Sequence, residues 1–292
     1  MRLHLVDGTY ELFRAHFSKR PPREAPDGQD VKATVGMASS LLRLLEDAEE
    51  SVSHVAVAFD NPIESWRNDR YEGYKDSAGV DPALLAQFDL VEEAVAALGV
   101  TVWSMREFEA DDALASATTQ FKFQVEQVRI LTPDKDLGQV VDGTRVVQVD
   151  RRRERTIDEN GVREKLGVSP VSVPDYLALV GDSADGIPGL AGFGAKSTAT
   201  LLSAYPHLED IPKAADDWSV NVRGSARLAT TLVEHLDDAL LFRELATLNT
   251  DVTLSDNLDD LAFTGVPRAR FSAFCERLGA ETLATRPTRW AP

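Results

Sequence analysis

Short runs of β-branched residues alternate with amphipathic stretches through the first half of the chain, and this alternation limits the possible folds more than any other feature. The helical patterns lie at about 32–48, 83–98 and 111–126. Alternation of strand and helix with connections of this length favours a parallel sheet with helices on both faces. The predicted strands are RLHLVD (2–7), HVAVAFD (54–60), VTVW (100–103), VRILTP (128–133) and RVVQVD (145–150).

The strand signals end near residue 165, and only helical patterns follow. We therefore predict two domains, an α/β domain over residues 1–165 and a helical region over residues 166–292. The helical patterns of the second region, which are separated by glycine and proline, lie at 172–180, 196–204, 225–236 and 238–248.

Three features of the sequence limit where the protein works and what it binds. Cys275 is the only cysteine, so an internal disulfide is excluded, and no apolar run reaches the ~18 residues that a membrane span requires. We expect a cytoplasmic monomer without membrane attachment. The net charge of −17 normally disfavours nucleic acid as a partner, so a nucleic-acid function needs specific support from the sequence.

Acidic residues stand at the ends of the predicted strands and at the start of one predicted helix. Taken singly, each has an ordinary structural explanation, such as a helix cap, a first-turn acid or a turn residue. In a parallel sheet, however, the carboxyl ends of the strands share one edge, where ligands bind, so these acids are expected to converge. Asp182 and Asp185 of the helical region are expected to close the same site. The acids at the sheet edge are Asp7, Asp60, Glu109, Asp111, Asp112, Asp134 and Asp136.

The spacing of these acids supports convergence on bound cations. Asp134 and Asp136 point the same way if their segment is extended, and Glu109 and Asp112 share one face of a helix. Uncompensated, such a cluster would cost many kcal/mol in repulsion and desolvation. A set of carboxylates without histidine or cysteine favours Mg²⁺ or Mn²⁺ over zinc. The number of acids suggests two ions ~3.5–4 Å apart that act on a phosphate ester.

The stretch GDSADGIPGLAGFGAKSTATLL (181–202) carries several glycines ahead of a predicted helix. Gly189, Gly192 and Gly194 permit tight backbone turns, and Lys196 and Ser197 open the helix. Backbone N–H groups at such a turn and helix start bind phosphate without a charged side chain. We interpret the stretch as a phosphate-binding turn beside the two acids at its start.

Five motifs resemble the bacterial 5′-nuclease family, which includes the N-terminal 5′→3′ exonuclease domain of DNA polymerase I and stand-alone flap endonucleases. The match runs in order from residue 3 to about residue 260, and no polymerase segment follows, so we expect a stand-alone member. The motifs are LVDGTYELFRAHF (5–17), FDNPIESWRNDRYEGYK (59–75), FEADDALASA (108–117), LTPDKDLGQVV (131–141) and DYLALVGDSADGIPGLAGFGAKSTATLL (175–202).

The resemblance implies a PIN-like α/β nuclease fold followed by a helix–three-turn–helix DNA-binding element. It also implies that two divalent ions, Mg²⁺ or Mn²⁺, support cleavage of a phosphodiester by activated water, leaving a 5′-phosphate and a 3′-hydroxyl. The implied partner is DNA with a 5′ flap, a nick or a 5′ end, and RNA–DNA hybrids are further candidates. A potassium ion is implied at the helix–three-turn–helix element.

The resemblance also distributes the acids between the two ions. The residues implied to surround the first ion are Asp7, Asp60, Glu109 and Asp111. The residues implied to surround the second ion are Asp134, Asp136, Asp182 and Asp185. Asp112 is implied to lie between them and to act through water.

Basic residues complete the implied site. Lys75 matches the family lysine that contacts the scissile phosphate, and Arg67 lies where the family carries a phosphate-binding arginine, so both are expected to be catalytic. The family usually has a further arginine three residues after that lysine, where this chain has Ala78 and where Arg70 is a candidate substitute. We therefore expect a slower or more substrate-restricted enzyme than its relatives. The residues implied to bind DNA are Arg14, Arg70, Gly189, Gly192, Gly194, Lys196 and Ser197.

Two other functions remain open at this point. A PIN-type ribonuclease would use similar acids, but the glycine turn and the segment around Lys75 favour a duplex substrate. A non-catalytic DNA-binding protein would have no need to retain so many costly carboxylates. The leading interpretation is a structure-specific 5′-nuclease, both 5′→3′ exonuclease and flap endonuclease, that works in DNA replication and repair.

Overall fold

The computed structural model describes all 292 residues and divides the chain into two compact units. The first unit comprises Met1–Ser65, Ser77–Thr132 and Thr250–Pro292, and the second comprises Trp66–Asp76 and Pro133–Asn249. Each unit is therefore assembled from separate parts of the chain, which no sequence pattern indicated. The division at residue 165 stays a prediction.

Strands and helices alternate through the first half of the chain, and helices dominate the second half. The strands are β1 (Arg2–Asp7), β2 (His54–Asp60), β3 (Thr101–Met105), β4 (Gln127–Leu131), β5 (Val146–Asp150) and β6 (Arg155–Ile157). The helices are α1 (Gly8–His16), α2 (Lys32–Leu45), α3 (Trp66–Arg70), α4 (Pro82–Leu85), α5 (Phe88–Ala97), α6 (Ala110–Phe121), α7 (Glu159–Leu166), α8 (Val173–Val180), α9 (Ala195–Ala204), α10 (Ser225–Glu234), α11 (Leu236–Ala246), α12 (Arg268–Arg277) and α13 (Glu281–Ala284).

Four parallel strands form the sheet of the first unit, in the order β3-β2-β1-β4. The register places Leu5 of β1 between Ala56 of β2 and Ile130 of β4. Both β1 and β2 are buried along nearly their whole length, and β2 accordingly has a continuous apolar run, VAVAF (55–59). Helix α6 packs against β1, β2 and β3, and α1 packs against β2. The sheet therefore holds the ends of β1 and β2 in fixed positions beside the starts of α1 and α6.

The helical pattern predicted at 83–98 forms two helices, α4 and α5, instead of one. The side-chain amide of Gln87 donates to the carbonyl of Ala83 at 3.0 Å, while the backbone N–H of Gln87 donates to Leu84 at 2.9 Å. The Gln87 side-chain oxygen also accepts from the N–H of Thr34 at 3.0 Å. A buried glutamine that uses a main-chain acceptor interrupts the helical hydrogen bonds here, which periodicity alone does not reveal.

The second unit is mainly helical, with β5 and β6 as an antiparallel pair. Its core includes Leu177 and Leu179 of α8, Leu201 of α9 and Leu245 of α11. Helix α8 packs against α9 and α11, so the connection between α8 and α9 is anchored at both ends. No helix in the structure is both long enough and apolar enough to cross a lipid bilayer.

Candidate functional site

The first unit places two of the predicted acids at the carboxyl ends of neighbouring strands. Asp7 ends β1, and its carboxylate accepts from the N–H of Tyr10 at 2.8 Å and from the hydroxyl of Thr132 at 2.9 Å. Asp60 ends β2, and its Oδ1 accepts from the N–H of Ala110 at 2.7 Å. Because Ala110 is the first residue of α6, this bond fixes the start of that helix at the edge of the sheet.

The three acids of the FEADDALASA motif lie at the start of α6. Glu109 is the N-cap residue, its N–H donates to Oδ2 of Asp112 at 3.0 Å, and its Oε1 accepts from the hydroxyl of Ser65 at 2.9 Å. Glu109 and Asp112 are buried, and Asp111 is half-buried in the first turn. Asp112 therefore serves the helix start, whereas Asp7, Asp60 and Glu109 stand at one edge of the sheet.

The second unit brings three predicted acids into direct proximity. Ligand oxygens of Asp136, Asp182 and Asp185 all lie within 4.8 Å of one another. Oδ1 of Asp136 is buried and has no hydrogen-bond partner. Burial and the negative charges of Asp134 and Asp185 raise the pKa of Asp136 well above its usual value. An unpartnered buried oxygen within a set of carboxylates fits a hard divalent cation.

Asp134 is placed differently from the sequence prediction. Its segment is not extended, because Asp136 begins a 3₁₀ helix that runs to Val140. Oδ1 of Asp134 accepts from the N–H of Asp136 at 3.0 Å, and its side chain is exposed. The extended segment, which was the condition for both carboxylates to point the same way, is therefore not formed, since a capping turn occupies this position.

Lys75 lies beside the acids of the second unit. Its Nζ is 3.0 Å from Oδ1 of Asp185, and its N–H donates to the Asp185 carbonyl at 3.0 Å. Glycine is required at position 186 for this approach, because a Cβ there would lie 2.0 Å from the Gly73 carbonyl. The segment that carries Lys75 is therefore in backbone contact with the turn that carries Asp185.

Lys135, which the sequence motifs did not single out, also contacts this group. Its ammonium binds Oδ2 of Asp182 and lies 4.0 Å from Oδ1 of Asp136. Burial lowers the pKa of Lys135, but the hydrogen bond to Asp182 and the surrounding carboxylate charges outweigh it, so the pKa is raised. The only sequence signal for this contact is a lysine between two acids in PDKD.

Arg67 is buried, although a phosphate-binding arginine should be accessible. The residue is 1% exposed, and its guanidinium lies 4.8 Å from the centre of the Trp66 ring. Its Nε donates to the carbonyl of Leu245 at 2.8 Å, and its Nη2 donates to the carbonyl of Thr247 at 3.1 Å. The side chain thus satisfies carbonyls at the C-terminal end of α11 and holds α3 there. Its implied contact with phosphate stays a prediction.

The two other arginines predicted to bind DNA have acidic partners within their own units. Arg70 forms a bidentate pair with Glu244, with both distances 2.9 Å. Arg14 binds Glu11 and also donates to the hydroxyl of Ser40 at 2.8 Å. Both side chains are partly exposed, and DNA binding by either one stays a prediction.

The connection between α8 and α9 has the tight turns that its glycines predict. Gly189 has φ +68, and a Cβ there would lie 2.5 Å from the backbone nitrogen that follows α8. Gly192 also has a positive φ, of +91. Gly194 is the N-cap residue of α9, and its N–H donates to the hydroxyl of Ser197 at 3.1 Å. Lys196 is exposed in the first turn of α9. The tight turns are therefore present as predicted, and phosphate binding by this segment stays a prediction.

Comparison with known proteins assigns a family to both parts of the chain. Residues 2–167 match the profile of the 5'-3' exonuclease N-terminal resolvase-like domain, and residues 168–269 match the 5'-3' exonuclease C-terminal SAM fold. The chain belongs to the 5'-3' exonuclease family. The family and the fold class predicted from the sequence, an α/β nuclease fold followed by a helical region, are therefore confirmed.

Among curated relatives of this 5'-3' exonuclease family member, the DNA polymerase I of Rhizobium leguminosarum is 33% identical over 290 residues. The alignment covers 97% of this chain and 28% of the polymerase, so the chain spans less than a third of that relative.

Two solved structures of bacteriophage T5 proteins share the fold. T5 5'-exonuclease with bound zinc has a TM-score of 0.68 at 18% identity, and the match covers 97% of this chain and 100% of the other. T5 D15 flap endonuclease, in a pseudo-enzyme-product complex with DNA and metal ions, has a TM-score of 0.65 at 18% identity and covers 98% of this chain and 100% of its own.

Proposed function

We propose that this chain is a metal-dependent, structure-specific 5′-nuclease that hydrolyses phosphodiester bonds in DNA. The observation that carries the proposal is the group formed by Asp136, Asp182 and Asp185, with ligand oxygens within 4.8 Å, in a chain of the 5'-3' exonuclease family. The proposed substrates are duplexes with a 5′ flap, a nick or a 5′ end, with RNA–DNA hybrids as further substrates. The proposed setting is replication and repair in the cytoplasm, with the protein as a monomer.

Two ions are proposed, one for each set of acids. Asp136, Asp182 and Asp185 would hold one ion, with Asp134 beside them. The second set, in the first unit, consists of Asp7, Asp60, Glu109 and Asp111. Since every donor is a carboxylate oxygen, Mg²⁺ or Mn²⁺ suits both sets. When bound, such ions lower the pKa of a coordinated water and stabilise negative charge on a phosphoryl oxygen.

Lys75 is proposed to contact the scissile phosphate. Its ammonium lies 3.0 Å from Oδ1 of Asp185, so its positive charge is beside the carboxylate group. The side-chain amide of Asn68 donates to the Lys75 carbonyl at 2.8 Å, and buried Arg67 holds the same segment to the end of α11. These contacts orient the lysine, and Arg67 is thus a positioning residue in the proposed site.

The turn between α8 and α9 is proposed to bind the sugar-phosphate backbone of the duplex. Its N–H groups and the N-terminal end of α9 favour an anion, and Lys196 adds a positive charge. A potassium ion is proposed at this turn. Such contacts do not read base edges, so binding should depend on the shape of the DNA and not on its sequence.

The proposal is tested with a labelled 5′-flap duplex incubated with Mg²⁺, with EDTA, and with Asp182→Asn protein in Mg²⁺. The expected result is a cut near the flap junction in the first reaction only. Absence of any metal-dependent cut would contradict the proposal, and DNA binding without cutting would favour a non-catalytic protein. Faster cutting of single-stranded RNA than of the flap would favour a PIN-type ribonuclease.

A further inference from the structure

A lysine side chain lies within the carboxylate group of the second unit. Lys135 precedes Asp136 in the chain, and its ammonium binds Asp182 while lying 4.0 Å from Oδ1 of Asp136. The side chains of Asp136 and Asp182 are 7% and 6% exposed, whereas that of Lys135 is 31% exposed. The Lys135 side chain is therefore more exposed to solvent than Asp136 and Asp182, and its ammonium approaches these two of the three acids.

The contact with Asp182 uses an oxygen that an ion would need. A divalent ion bound by Asp136, Asp182 and Asp185 takes oxygens at ~2–2.6 Å, so it must occupy the space among those carboxylates. The ammonium of Lys135, which is hydrogen-bonded to Asp182, places a positive charge at one side of that space. This charge offsets part of the negative charge that the ion would otherwise offset. Both cations cannot hold the same Asp182 oxygen in the same geometry.

We propose that Lys135 is an internal cation that competes with the divalent ion for Asp182. In the ion-free protein it reduces the repulsion among the buried carboxylates, and it must leave Asp182 when the ion binds. Because this exchange is part of binding, the apparent affinity for the ion is lower than that of the carboxylates alone. Lys135 thus sets the concentration of divalent ion at which the group fills. This inference rests on the proposed function only in treating the three carboxylates as an ion site.

Lys165 provides a matched control for this idea. The Nζ of Lys165 donates to the carbonyl of Pro133 at 3.1 Å. Lys165 therefore contacts the segment that carries Lys135, but it bonds a main-chain oxygen instead of a carboxylate. Loss of the Lys165 charge changes the general electrostatic field near the acids without freeing Asp182. The two lysines therefore separate direct competition from the long-range effect of one positive charge.

The test measures Mn²⁺ binding without DNA, by titration calorimetry and by the electron paramagnetic resonance signal of free Mn²⁺. Lys135→Met is expected to bind Mn²⁺ about threefold to tenfold more tightly than the wild type, because the competing ion pair is gone. Lys165→Met is expected to stay within about twofold of the wild type, since an exposed charge acts weakly at a distance. Lys135→Arg keeps the charge and should not gain affinity.

A second measurement covers the case in which Lys135→Met folds poorly. Thermal unfolding is compared in EDTA and in saturating Mg²⁺, and the variant should lose stability in EDTA but gain more than the wild type from the ion.

Equal or weaker Mn²⁺ binding by Lys135→Met, or the same gain in Lys165→Met, would overturn the competition. If ion binding follows the expected pattern but no flap is cut, the competition stands and the proposed nuclease function fails. If neither wild type nor Lys135→Met binds an ion, the ion site itself is contradicted.

Discussion

The surroundings of Asp136 are unfavourable for a negatively charged carboxylate unless a cation is bound. Its Oδ1 is buried without a hydrogen-bond partner, and the neighbouring Asp134 and Asp185 are also acidic. Proteins rarely leave a buried polar atom unpaired unless the atom has a function that requires it. In the proposed ion site, this arrangement would lower the stability of the protein without the ion and raise its affinity for the ion.

Replacement of Asp136 by asparagine tests whether its charge lowers stability without an ion and is required for stabilisation by Mg²⁺. Asp136→Asn should leave the free energy of unfolding in EDTA unchanged or raise it by about 1 kcal/mol, because one repelling charge is removed. The stabilisation by Mg²⁺ should largely disappear, and flap cleavage should fall by about 100-fold or more. Urea unfolding and single-turnover cleavage measure these effects. The control is Asp216→Asn, at an exposed position outside both sets of acids. A large loss of stability of Asp136→Asn in EDTA would show that its charge stabilises the fold.

Glu50 accepts hydrogen bonds from two strands of the first unit. Nε2 of His4 on β1 is 3.0 Å from its Oε2, and Nη2 of Arg129 on β4 donates to its Oε1 at 3.0 Å. The His4 hydrogen bond and the Arg129 charge lower the pKa of Glu50 to about 2, despite partial burial. Burial lowers the pKa of His4, and the buried Nδ1 of this ring has no hydrogen-bond partner, so the ring bonds Glu50 through Nε2 alone.

Since the folded-state pKa of Glu50 lies below its ordinary value of 4.5, the carboxylate stabilises the protein above that pH and loses this contribution as the pH falls toward 2. Glu50→Gln should lower the free energy of unfolding at pH 7 by about 1–2 kcal/mol, a figure reduced for partial solvent exposure. The free energy of unfolding of Glu50→Gln should also vary less between pH 4.5 and 2 than that of the wild type. Urea unfolding at several pH values measures both, and an unchanged pH dependence would contradict the assignment.

Ala78 marks the departure from the family motif around Lys75. The residue is exposed, so a longer side chain fits without disturbing the core. Ala78→Arg should raise the single-turnover rate on a flap substrate several-fold, because it restores a positive charge where the family usually has one. Ala78→Gln supplies similar length without charge and should not gain. A wild-type rate for Ala78→Arg would show that this chain does not need the missing arginine.

At the scale of elements, the turn between α8 and α9 depends on one glycine more than on the others. A Cβ at Gly189 would lie 2.5 Å from the backbone, and its φ is +68. Gly189→Ala should therefore lower the free energy of unfolding by about 2 kcal/mol or more and weaken DNA binding. Gly194→Ala is the matched control, because no atom lies within 4 Å of its added Cβ. Equal losses of stability in the two variants, measured by urea unfolding, would contradict this role for Gly189, and DNA titration of Gly189→Ala measures the loss of binding.

Sequence patterns predicted β2 to its ends and α8–α11 to within a few residues, because continuous apolar runs and helical periodicity reflect local burial. Helix α1 was not predicted, since Asp7 was interpreted as the end of a strand, whereas it also caps the helix that follows. The acids at the strand ends were predicted from topology. The ion pair of Lys135 and the burial of Arg67 against Leu245 were not, because contacts across such sequence separations leave no local signal.

At the scale of the whole molecule, the net charge of −17 has to be reconciled with the proposed DNA substrate. Part of the negative charge belongs to the proposed ion sites and would be offset when ions bind. The remaining acidic surface repels phosphates, so DNA binding would be weak and would depend on a few cationic and backbone contacts. In the proposed function, bound cations would therefore serve both the chemistry and the approach of the DNA.

The most direct measurement is diffraction from crystals soaked in Mn²⁺, with data collected at the manganese absorption edge. Anomalous peaks are predicted among Asp136, Asp182 and Asp185 in the second unit, and beside Asp7, Asp60 and Glu109 in the first. Wild-type crystals in EDTA should show neither peak. Manganese bound elsewhere on the surface, with both carboxylate sets empty at millimolar Mn²⁺, would contradict the proposed metal-dependent nuclease site.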